Sequence, residues 1–299
     1  MSPGTDRSST PARVTVVVVT HRGSTGLVGR CLESLRSAGG VDHLIVVDNS
    51  GSGDAALLAD AWLRVDNEGF GAAVNRGVAV ARQRWGEHQY IAVLNDDTRV
   101  GRDWLGPLVG ALDSDPGLGA VQPKLLIADT VPIRVNSVGV ELDRASAGVD
   151  VGFSEVDGPR WNQPRDIEIF TAGAVLFRLD FFTDTGGFDE RYFLYYEDVD
   201  LALRGAELGW RYRCEPSSTV EHWPGSSTSH LGSELRMLQE RNRLWVSFRF
   251  GSIRLIGAAL WLSIRRLRHA PRRAHLRALT GGVLSAPARV AERRKAQRH

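Results

Sequence analysis

The strongest pattern in this 299-residue chain begins at Val14-Thr15-Val16-Val17-Val18-Val19-Thr20. Every residue of the run is β-branched, and apolar and polar residues do not alternate along it. Such a run is typical of a strand buried on both faces of a parallel sheet. A helix is predicted next over Leu27–Ala38, where Gly39-Gly40 ends the apolar periodicity.

The same pattern repeats towards residue 97. It predicts these elements: a strand at His43–Val47, helices at Ala55–Leu63 and Gly71–Trp85, and a strand at Tyr90–Leu94. Strands that alternate with helices predict an α/β fold, with a mostly parallel central sheet flanked by helices. Ligands of such sheets bind beyond the carboxyl ends of the strands. The polar residues after each strand are therefore the candidates for a site.

The second half of the chain is mixed. Its predicted elements are a helix at Trp104–Leu112, strands at Ala120–Ile127 and Phe170–Phe177, a helix at Asp198–Leu208, and a short strand after Tyr212–Cys214 that ends near Val220. Residues 129–166 are rich in Gly, Asp, Pro and Ser, which predicts an irregular or antiparallel excursion. Residues 1–12 have the composition of a disordered tail.

Composition excludes several classes of protein. With 42% hydrophobic and 24% charged residues, the whole chain is neither disordered nor a disulfide scaffold. Cys31 and Cys214 match no metal-clip spacing and are expected to be reduced thiols. No secretory signal is visible, and the apolar run Leu255–Ile264 is far shorter than the roughly 20 residues of a membrane span. We therefore expect a cytoplasmic protein.

The net charge of +2 conceals a division of the chain. Residues 1–232 carry −11 and residues 233–299 carry +13. Aromatic and aliphatic residues alternate with arginines in the basic part, as in a helix lying at the surface of an anionic membrane. Packing on the preceding domain, followed by a disordered tail, is the alternative. Nucleic-acid binding is disfavoured, because the rest of the chain is acidic and carries no recognition motif.

Three predicted strands end in polar groups. They are followed by Thr20, by Asp48 and by Asn95-Asp96-Asp97. A lone strand-end Asp is as often a cap or turn residue. Two adjacent carboxylates repel each other when partly buried, and a hard divalent cation, Mg²⁺ or Mn²⁺, relieves that repulsion. The sequence thus predicts a metal and diphosphate site here, with a solvated acidic turn as the alternative.

Two further segments are candidates for chemistry. Asn67–Gly77 is a glycine-containing loop that enters a helix, but it lacks the P-loop ending, and no dinucleotide fingerprint follows the first strand. Gly186–Leu201 places aromatic residues directly before three acids at a helix start, which suits either sugar binding or helix capping. His222 follows a predicted strand, and a lone histidine is more often structural than a ligand.

Five motifs form an ordered set: Val16-Val17-Val18-Val19-Thr20, Val46-Val47-Asp48-Asn49-Ser50, Asn67-Glu68-Gly69-Phe70-Gly71, Leu94-Asn95-Asp96-Asp97 and Tyr196-Glu197-Asp198-Val199-Asp200. Together they resemble a family 2 glycosyltransferase of the GT-A fold over residues 13–245. The block Gly186–Glu190, the later His222 and the pair Arg241-Asn242 are most similar to the bacterial rhamnosyltransferase-like branch.

The resemblance implies a role for each matching residue. Thr20 and Asp48 would hold the base and ribose of a nucleotide-sugar, and Asp96 would lie near its sugar. The rest of the donor pocket would comprise Asn67, Gly71 and Asn75. Asp97 and His222 would bind the metal, Asp198 would be the general base, and the acceptor would contact Tyr196, Glu197 and Trp223. Asn95 departs from the family pattern, since many relatives have an Asp there.

The resemblance also implies a domain plan and an activity. Residues 13–100 would bind the nucleotide-sugar, residues 101–232 would bind the acceptor and carry the base, and residues 233–299 would form a basic amphipathic helical extension. The implied reaction is metal-dependent, inverting transfer of L-rhamnose from dTDP-rhamnose to a lipid-linked or cell-envelope glycan. A UDP-sugar donor with a small-molecule acceptor is the alternative, ahead of a sugar nucleotidyltransferase or a non-catalytic membrane-binding module. Residues 245–299 would place the enzyme peripherally on the inner face of the plasma membrane.

Overall fold

The β-branched run Val14–Thr20 forms strand β1, and all seven of its residues are buried. β1 lies between β2 (His43–Asp48) and β4 (Tyr90–Asn95) and is parallel to both. β3 (Ala61–Arg64) extends the parallel part beyond β2. The predicted α/β architecture is confirmed, and so are the strands predicted at residues 14–20, 43–47 and 90–94.

The computed structural model describes residues 14–21, 26–50, 58–86, 89–225, 232–269 and 271–296. The predicted tail at 1–12 lies outside these residues. The other strands are β5 (Thr98–Val100), β6 (Leu118–Ile127), β7 (Arg134–Ser137), β8 (Val140–Leu142), β9 (Gly148–Asp150), β10 (Arg165–Ile167), β11 (Ala174–Arg178) and β12 (Arg211–His222). The helices are α1 (Leu27–Ser37), α2 (Phe70–Trp85), α3 (Leu105–Ser114), α4 (Leu179–Asp184), α5 (Glu197–Glu207), α6 (Gly232–Phe250), α7 (Ile253–Arg266) and α8 (Arg272–Ala296).

The described strands form one large sheet with the order β10-β12-β6-β11-β4-β1-β2-β3. β5 pairs with β12, and β7 pairs with β6. β11 is antiparallel to both of its neighbours, so the sheet is mixed in its second half. β8 and β9 form a separate antiparallel hairpin within the predicted excursion.

Two cores lie on opposite faces of this sheet. Val17 and Val19 belong to the core that includes α2, whereas Val16 and Val18 belong to the core that includes α1 and α3. Alternate residues of a strand point to opposite faces, so an unbroken valine run covers both. This explains why β1 shows no apolar–polar alternation.

Three predicted elements are wrong in extent. Residues 61–64 form strand β3 instead of the end of a helix over Ala55–Leu63, and residues 51–57 are outside the described part. A short apolar run fits either element, and pairing with β2 decides for the strand. The strand predicted over Phe170–Phe177 begins only at Ala174. The short strand near Val220 is the end of the twelve-residue β12, whose pairing with β6 shifts between Glu215 and Thr219.

The basic C-terminal region forms helices α6, α7 and α8, which pack together and on the sheet domain. Leu244 and Phe248 of α6 form a small core with Ala259 of α7. In α8, Arg289 lies 3.1 Å from Asp189, in the loop after α4. No helix in the described part of the chain is long and apolar enough to cross a bilayer.

Candidate active site

A cleft of about 510 Å³ opens where β4 and β12 end. Its acidic lining residues are Asp97, Asp150, Glu197 and Asp198. His222 lines the same cleft, together with aromatic and main-chain groups from the loop before α5. Residues from β4, β9, α5 and β12 thus meet at one opening, although they are far apart in the sequence.

The predicted nucleotide-binding residues meet beside this cleft. Thr20 and Asp48 are register partners at the ends of β1 and β2. The Thr20 hydroxyl donates a hydrogen bond of 2.6 Å to Asp96 Oδ2. Asp48 accepts bonds from the Ser50 main-chain nitrogen and hydroxyl at 2.7 and 2.6 Å. All three predicted residues are buried, so the strand ends form one polar cluster.

Asp97 and His222 form the pair that the resemblance assigns to a metal. Nε2 of His222 lies 3.1 Å from Asp97 Oδ1. β5 and β12 create this contact, since Thr98 and His222 are register partners. On the other side of the ring, His222 Nδ1 lies 2.5 Å from the side-chain oxygen of Asn136. In the tautomer that carries its proton on Nδ1, the ring donates a hydrogen bond to that oxygen, and the lone pair of Nε2 faces the Asp97 carboxylate.

These donors fit a divalent cation. An octahedral Mg²⁺ with ligands at about 2.1 Å places neighbouring ligands ~3.0 Å apart, close to the observed separation. A ligating histidine also usually donates its second N–H to an oxygen, as the ring does to Asn136. Within the described residues, no three or more His, Cys, Asp or Glu side chains lie close enough together to form a metal site by themselves. The protein would therefore supply two ligands, and the others would come from substrate or water.

Asp198 lies in the first turn of α5 and is half-buried in the cleft. Its carboxylate accepts hydrogen bonds from the main-chain nitrogens of Ala172 and Val199 at 3.2 and 2.8 Å. Tyr196, in a left-handed conformation, is the N-cap residue, so Asp198 does not cap the helix. Burial raises the pKa of Asp198, and the charge of Asp150 raises it further despite these hydrogen bonds.

Glu197 is buried beside Asp198, with 6% of its surface exposed. Its Oε2 has no hydrogen-bond partner among the described residues. Burial and the charge of Asp198 raise the pKa of Glu197. Of the two adjacent carboxylates, Asp198 is the more exposed in the cleft.

The loop before α5 has an unusual backbone. Phe193, Tyr195 and Tyr196 all have positive φ angles, between 65° and 69°. Such angles are costly for non-glycine residues and persist only where the surroundings hold them. Nδ2 of the buried Asn242 in α6 lies 2.7 to 2.9 Å from the main-chain oxygens of Tyr192, Leu194 and Tyr195. The C-terminal region therefore fixes this loop.

Of the predicted acceptor residues, Tyr196 and Glu197 line the cleft, whereas Trp223 does not. The Tyr196 hydroxyl accepts a bond of 3.2 Å from the Gly148 nitrogen in β9. Trp223 follows β12, where its main-chain nitrogen donates to the Asp97 main-chain oxygen at 3.0 Å. Its indole donates to Asp129 at 2.7 Å. These contacts hold Tyr196 and Trp223 near Asp97 and Asp198.

The loop predicted to line the donor pocket has mainly structural contacts. The exposed Asn67 accepts from the Gly69 nitrogen at 3.2 Å, and Gly71 lies where a Cβ would meet the Phe188 ring. Asn75 bonds Phe188 through both ends of its amide, at 2.9 and 3.0 Å. Asn67, Gly71 and Asn75 are not among the residues that line the cleft. Their predicted contact with the donor stays a prediction.

Residues 15–131 match the sequence model of glycosyl transferase family 2. That segment contains the strand-end cluster and Asp97, in the order in which the resemblance placed them. Over these residues the chain is similar to family 2 glycosyltransferases. The predicted family resemblance is thereby confirmed.

Curated relatives of this glycosyltransferase domain come from Mycobacterium tuberculosis. An N-acetylglucosaminyl-diphospho-decaprenol L-rhamnosyltransferase is 29% identical over 209 residues, which cover 60% of this chain and 66% of the relative. A pre-mycofactocin glycosyltransferase is 28% identical over 219 residues, 70% of this chain and 42% of the relative. The match thus spans slightly less than two thirds of the rhamnosyltransferase and less than half of the pre-mycofactocin glycosyltransferase.

Solved structures confirm the GT-A fold. GalNAc-T7, solved with UDP, GalNAc and Mn²⁺, superposes with a TM-score of 0.64 at 14% identity, over 95% of this chain and 57% of that one. The mannosyltransferase PcManGT from Pyrobaculum calidifontis, in complex with GDP-Man and Mn²⁺, superposes with a TM-score of 0.56 at 16% identity. The superposition covers 97% of this chain and 86% of that one.

Sequence reasoning missed several polar residues of the cleft, among them Asn136 and Asp150. Asn136 in β7 orients His222, and Asp150 ends β9 near His222 and Asp198. Both lie in the excursion at 129–166, where no periodicity announces a site. Asn242 was noticed only as part of a motif, and its function as the support of a strained loop depends on tertiary contacts.

Proposed function

We propose that this protein is a metal-dependent, inverting glycosyltransferase that uses Asp198 as its general base. The observation that carries the proposal is that the Asp198 carboxylate shares one cleft with the Asp97–His222 pair. Asp198 can accept a proton from an acceptor hydroxyl, while a divalent cation held by Asp97 and His222 would bind the donor diphosphate. The family 2 domain and the GT-A fold support the same activity.

The proposed reaction gives each of these residues a role. Asp198 accepts the acceptor's hydroxyl proton as its oxygen bonds to the anomeric carbon of the donor sugar. The bond between that carbon and the β-phosphate oxygen breaks, and the nucleoside diphosphate leaves. A Mg²⁺ or Mn²⁺ held by Asp97 and His222 would offset the charge of this leaving group. Thr20, Asp48 and Asp96 bind the nucleoside and the donor sugar, and Tyr196, Glu197 and Trp223 contact the acceptor.

The proposed substrates are dTDP-L-rhamnose and a lipid-diphosphate-linked glycan. The support comes from the relative whose name specifies L-rhamnosyl transfer to N-acetylglucosaminyl-diphospho-decaprenol. The proposed site of action is the inner face of the plasma membrane, with 245–299 at the lipid surface. Exposed apolar side chains on α7 and α8 support this placement: Ile253, Trp261, Ile264, Leu276 and Leu284.

Nucleoside-diphosphate release tests the proposal. The purified protein is incubated with Mn²⁺ and a panel of dTDP-, UDP- and GDP-sugars, with and without a lipid-diphosphate-linked N-acetylglucosamine. Release from dTDP-rhamnose that depends on this acceptor is the expected result. If the acceptor stimulates nucleoside-diphosphate release from a UDP-sugar and from no other donor, the donor is a UDP-sugar and not dTDP-rhamnose. Absence of release with every pair would overturn the proposed activity.

A further inference from the structure

One wall of the cleft differs in charge from the rest. Helices α6 and α7 contribute Gln239, Arg243 and Arg266 to the lining. The part of the cleft around Asp97 and Asp198 is acidic, whereas this wall is basic. A ligand that spans the cleft thus meets carboxylates at one end and guanidinium groups at the other.

Arg243 is committed to protein contacts. It is 1% exposed, and it donates to Glu240 Oε1 at 2.7 Å, to Ser263 Oγ at 2.6 Å and to the Ala145 main-chain oxygen at 2.5 Å. These bonds join α6 to α7 and to the β8–β9 hairpin. Arg243 therefore builds the wall and has little capacity left for a ligand.

Arg266 is available where Arg243 is not. Its side chain is 39% exposed, and within the described residues its acidic partner is Glu240. Glu240 is the carboxylate that Arg243 and Ser263 also bond. Two guanidinium groups thus share one carboxylate, which leaves a formal charge of +1 at the wall. Such an excess favours an anionic ligand.

The neighbouring side chains extend this positive region. Arg236 and His269 lie near the same Glu240 and Arg266, around the buried His275. Burial lowers the pKa of His275, and the charges of Arg266, Arg236 and His269 lower it further, against the opposing effect of Glu240. His275 thus has two arginines and a histidine around it, and Glu240 is the carboxylate among these neighbours.

We propose that Arg266 binds a phosphate of the lipid-diphosphate carrier, so that the carrier's sugar reaches Asp198 in the same cleft. This inference rests on the proposed function, whose acceptor it makes more specific. A guanidinium group suits phosphate because its planar donors form two parallel charge-assisted bonds. Trp261 and Ile264, on the same helix, are more than half exposed and are suited to the apolar part of such a carrier.

Arg266→Ala tests the proposal against Arg102→Ala, an exposed arginine that follows β5 and does not line the cleft. Both variants are assayed in detergent with N-acetylglucosamine on farnesyl diphosphate and with the same sugar on a phosphate-free alkyl chain. Loss of a charged hydrogen bond predicts that Arg266→Ala raises the KM for the diphosphate acceptor about tenfold or more. The KM for dTDP-rhamnose and for the alkyl acceptor should stay unchanged, and Arg102→Ala should alter none of these constants.

Several results would overturn the assignment. A higher KM for the donor would assign Arg266 to the nucleotide diphosphate, and an equal loss with both acceptors would indicate a structural effect. Calorimetric binding of farnesyl diphosphate separates this inference from the proposed function, because it requires no transfer. Wild-type binding that Arg266→Ala weakens, and Arg266→Lys partly restores, supports the subsite even if no sugar is transferred. Equal binding by wild type and Arg266→Ala rejects it.

Discussion

Nδ2 of Asn242 lies 2.7 Å from the main-chain oxygen of Tyr195, so helix α6 holds the loop that leads into Glu197 and Asp198. The same nitrogen bonds two more oxygens of that loop. The basic C-terminal region is therefore part of the architecture of the proposed active site. Its contribution can be measured separately from any contact with a membrane.

Asn242→Ala should destabilise the protein and lower its activity together. Losing the buried donor leaves three main-chain oxygens without it, and we expect a loss of about 2–4 kcal/mol in the free energy of unfolding. The positive φ angles before α5 should then relax, which lowers kcat. Urea unfolding and steady-state kinetics check this, with the exposed Gln163→Ala as control. Unchanged kcat in a folded variant would show that the loop does not need this support.

Asp198→Asn should abolish transfer while leaving donor binding nearly intact. A general base contributes roughly 10²- to 10⁴-fold to the rate, and an amide cannot replace it. Calorimetric titration with the nucleotide-sugar and a transfer assay measure the two effects. Asp180→Asn, an exposed change on α4, is the matched control. Undiminished turnover would reject Asp198 as the base.

The pH profile should report the environment of Asp198. A base works when deprotonated, and burial raises the pKa of Asp198, so kcat/KM should rise with pH through a value above the ordinary range of aspartates. Asp150→Asn removes a charge that raises this pKa and should shift the acid limb to lower pH. Mn²⁺ affinity is measured in parallel. If the acid limb of the kcat/KM profile does not move in Asp150→Asn while the Mn²⁺ affinity is unchanged, the assignment of that limb to Asp198 is wrong.

Removal of metal should stop the reaction, and substitution of Asn136 should weaken metal binding. A chelator is expected to abolish transfer, and added Mn²⁺ to restore it. Asn136→Ala removes the oxygen that orients His222, and changes of this kind typically weaken metal binding by about 10–100-fold. The concentration of Mn²⁺ at half-maximal activity measures the effect, with Asn162→Ala as control. Full activity in the presence of chelator would exclude the metal site.

The stabilisation that Asp189 gains from Arg191 and from Arg289 of α8 should depend on pH. Burial acts to raise the pKa of Asp189, but hydrogen bonds from Arg191 and the charge of Arg289 outweigh it and lower the value from 3.8 to about 2. The carboxylate therefore contributes about 2 kcal/mol above its unfolded pKa, and this is lost as pH falls towards its folded one.

Asp189→Asn should accordingly be less stable than wild type near neutral pH by about that amount. The difference should narrow below about pH 4, where the wild-type carboxylate begins to lose its advantage. Urea unfolding of both proteins across this range supplies the test. A difference that does not change with pH would show that the ionised Asp189 carboxylate, with its partners Arg191 and Arg289, does not stabilise the fold.

The first half of the fold could be predicted because its signals are local. The valine run of β1 and the helix after Gly69 each follow from periodicity within one segment. Residues 61–64 were mispredicted because four apolar or basic residues carry no decisive period, and only pairing with β2 makes them a strand. The excursion at 129–166 was harder still, because its short strands are stabilised by partners far away in sequence.

The candidate site divides in the same way. Asp97 and Asp198 stand in motifs that the resemblance identifies directly. Asn136 and Asp150 have no motif, and they enter the cleft only because β7 pairs with β6 and because the β8–β9 hairpin lies against α6. Arg266 would have been assigned to the basic extension from its sequence context alone.

The Asp97–His222–Asn136 arrangement has a consequence for assembly. Asp97 lies between β4 and β5, His222 ends β12 and Asn136 lies in β7. β12 pairs with both β5 and β6, and β7 pairs with β6. The contact between Asp97 and His222 spans more than a hundred residues of chain, so it forms only after the distant strands have found their register. If the proposed ion binds at this pair, its binding requires the completed sheet, and a refolding experiment could use it as a signal that the last strands are paired.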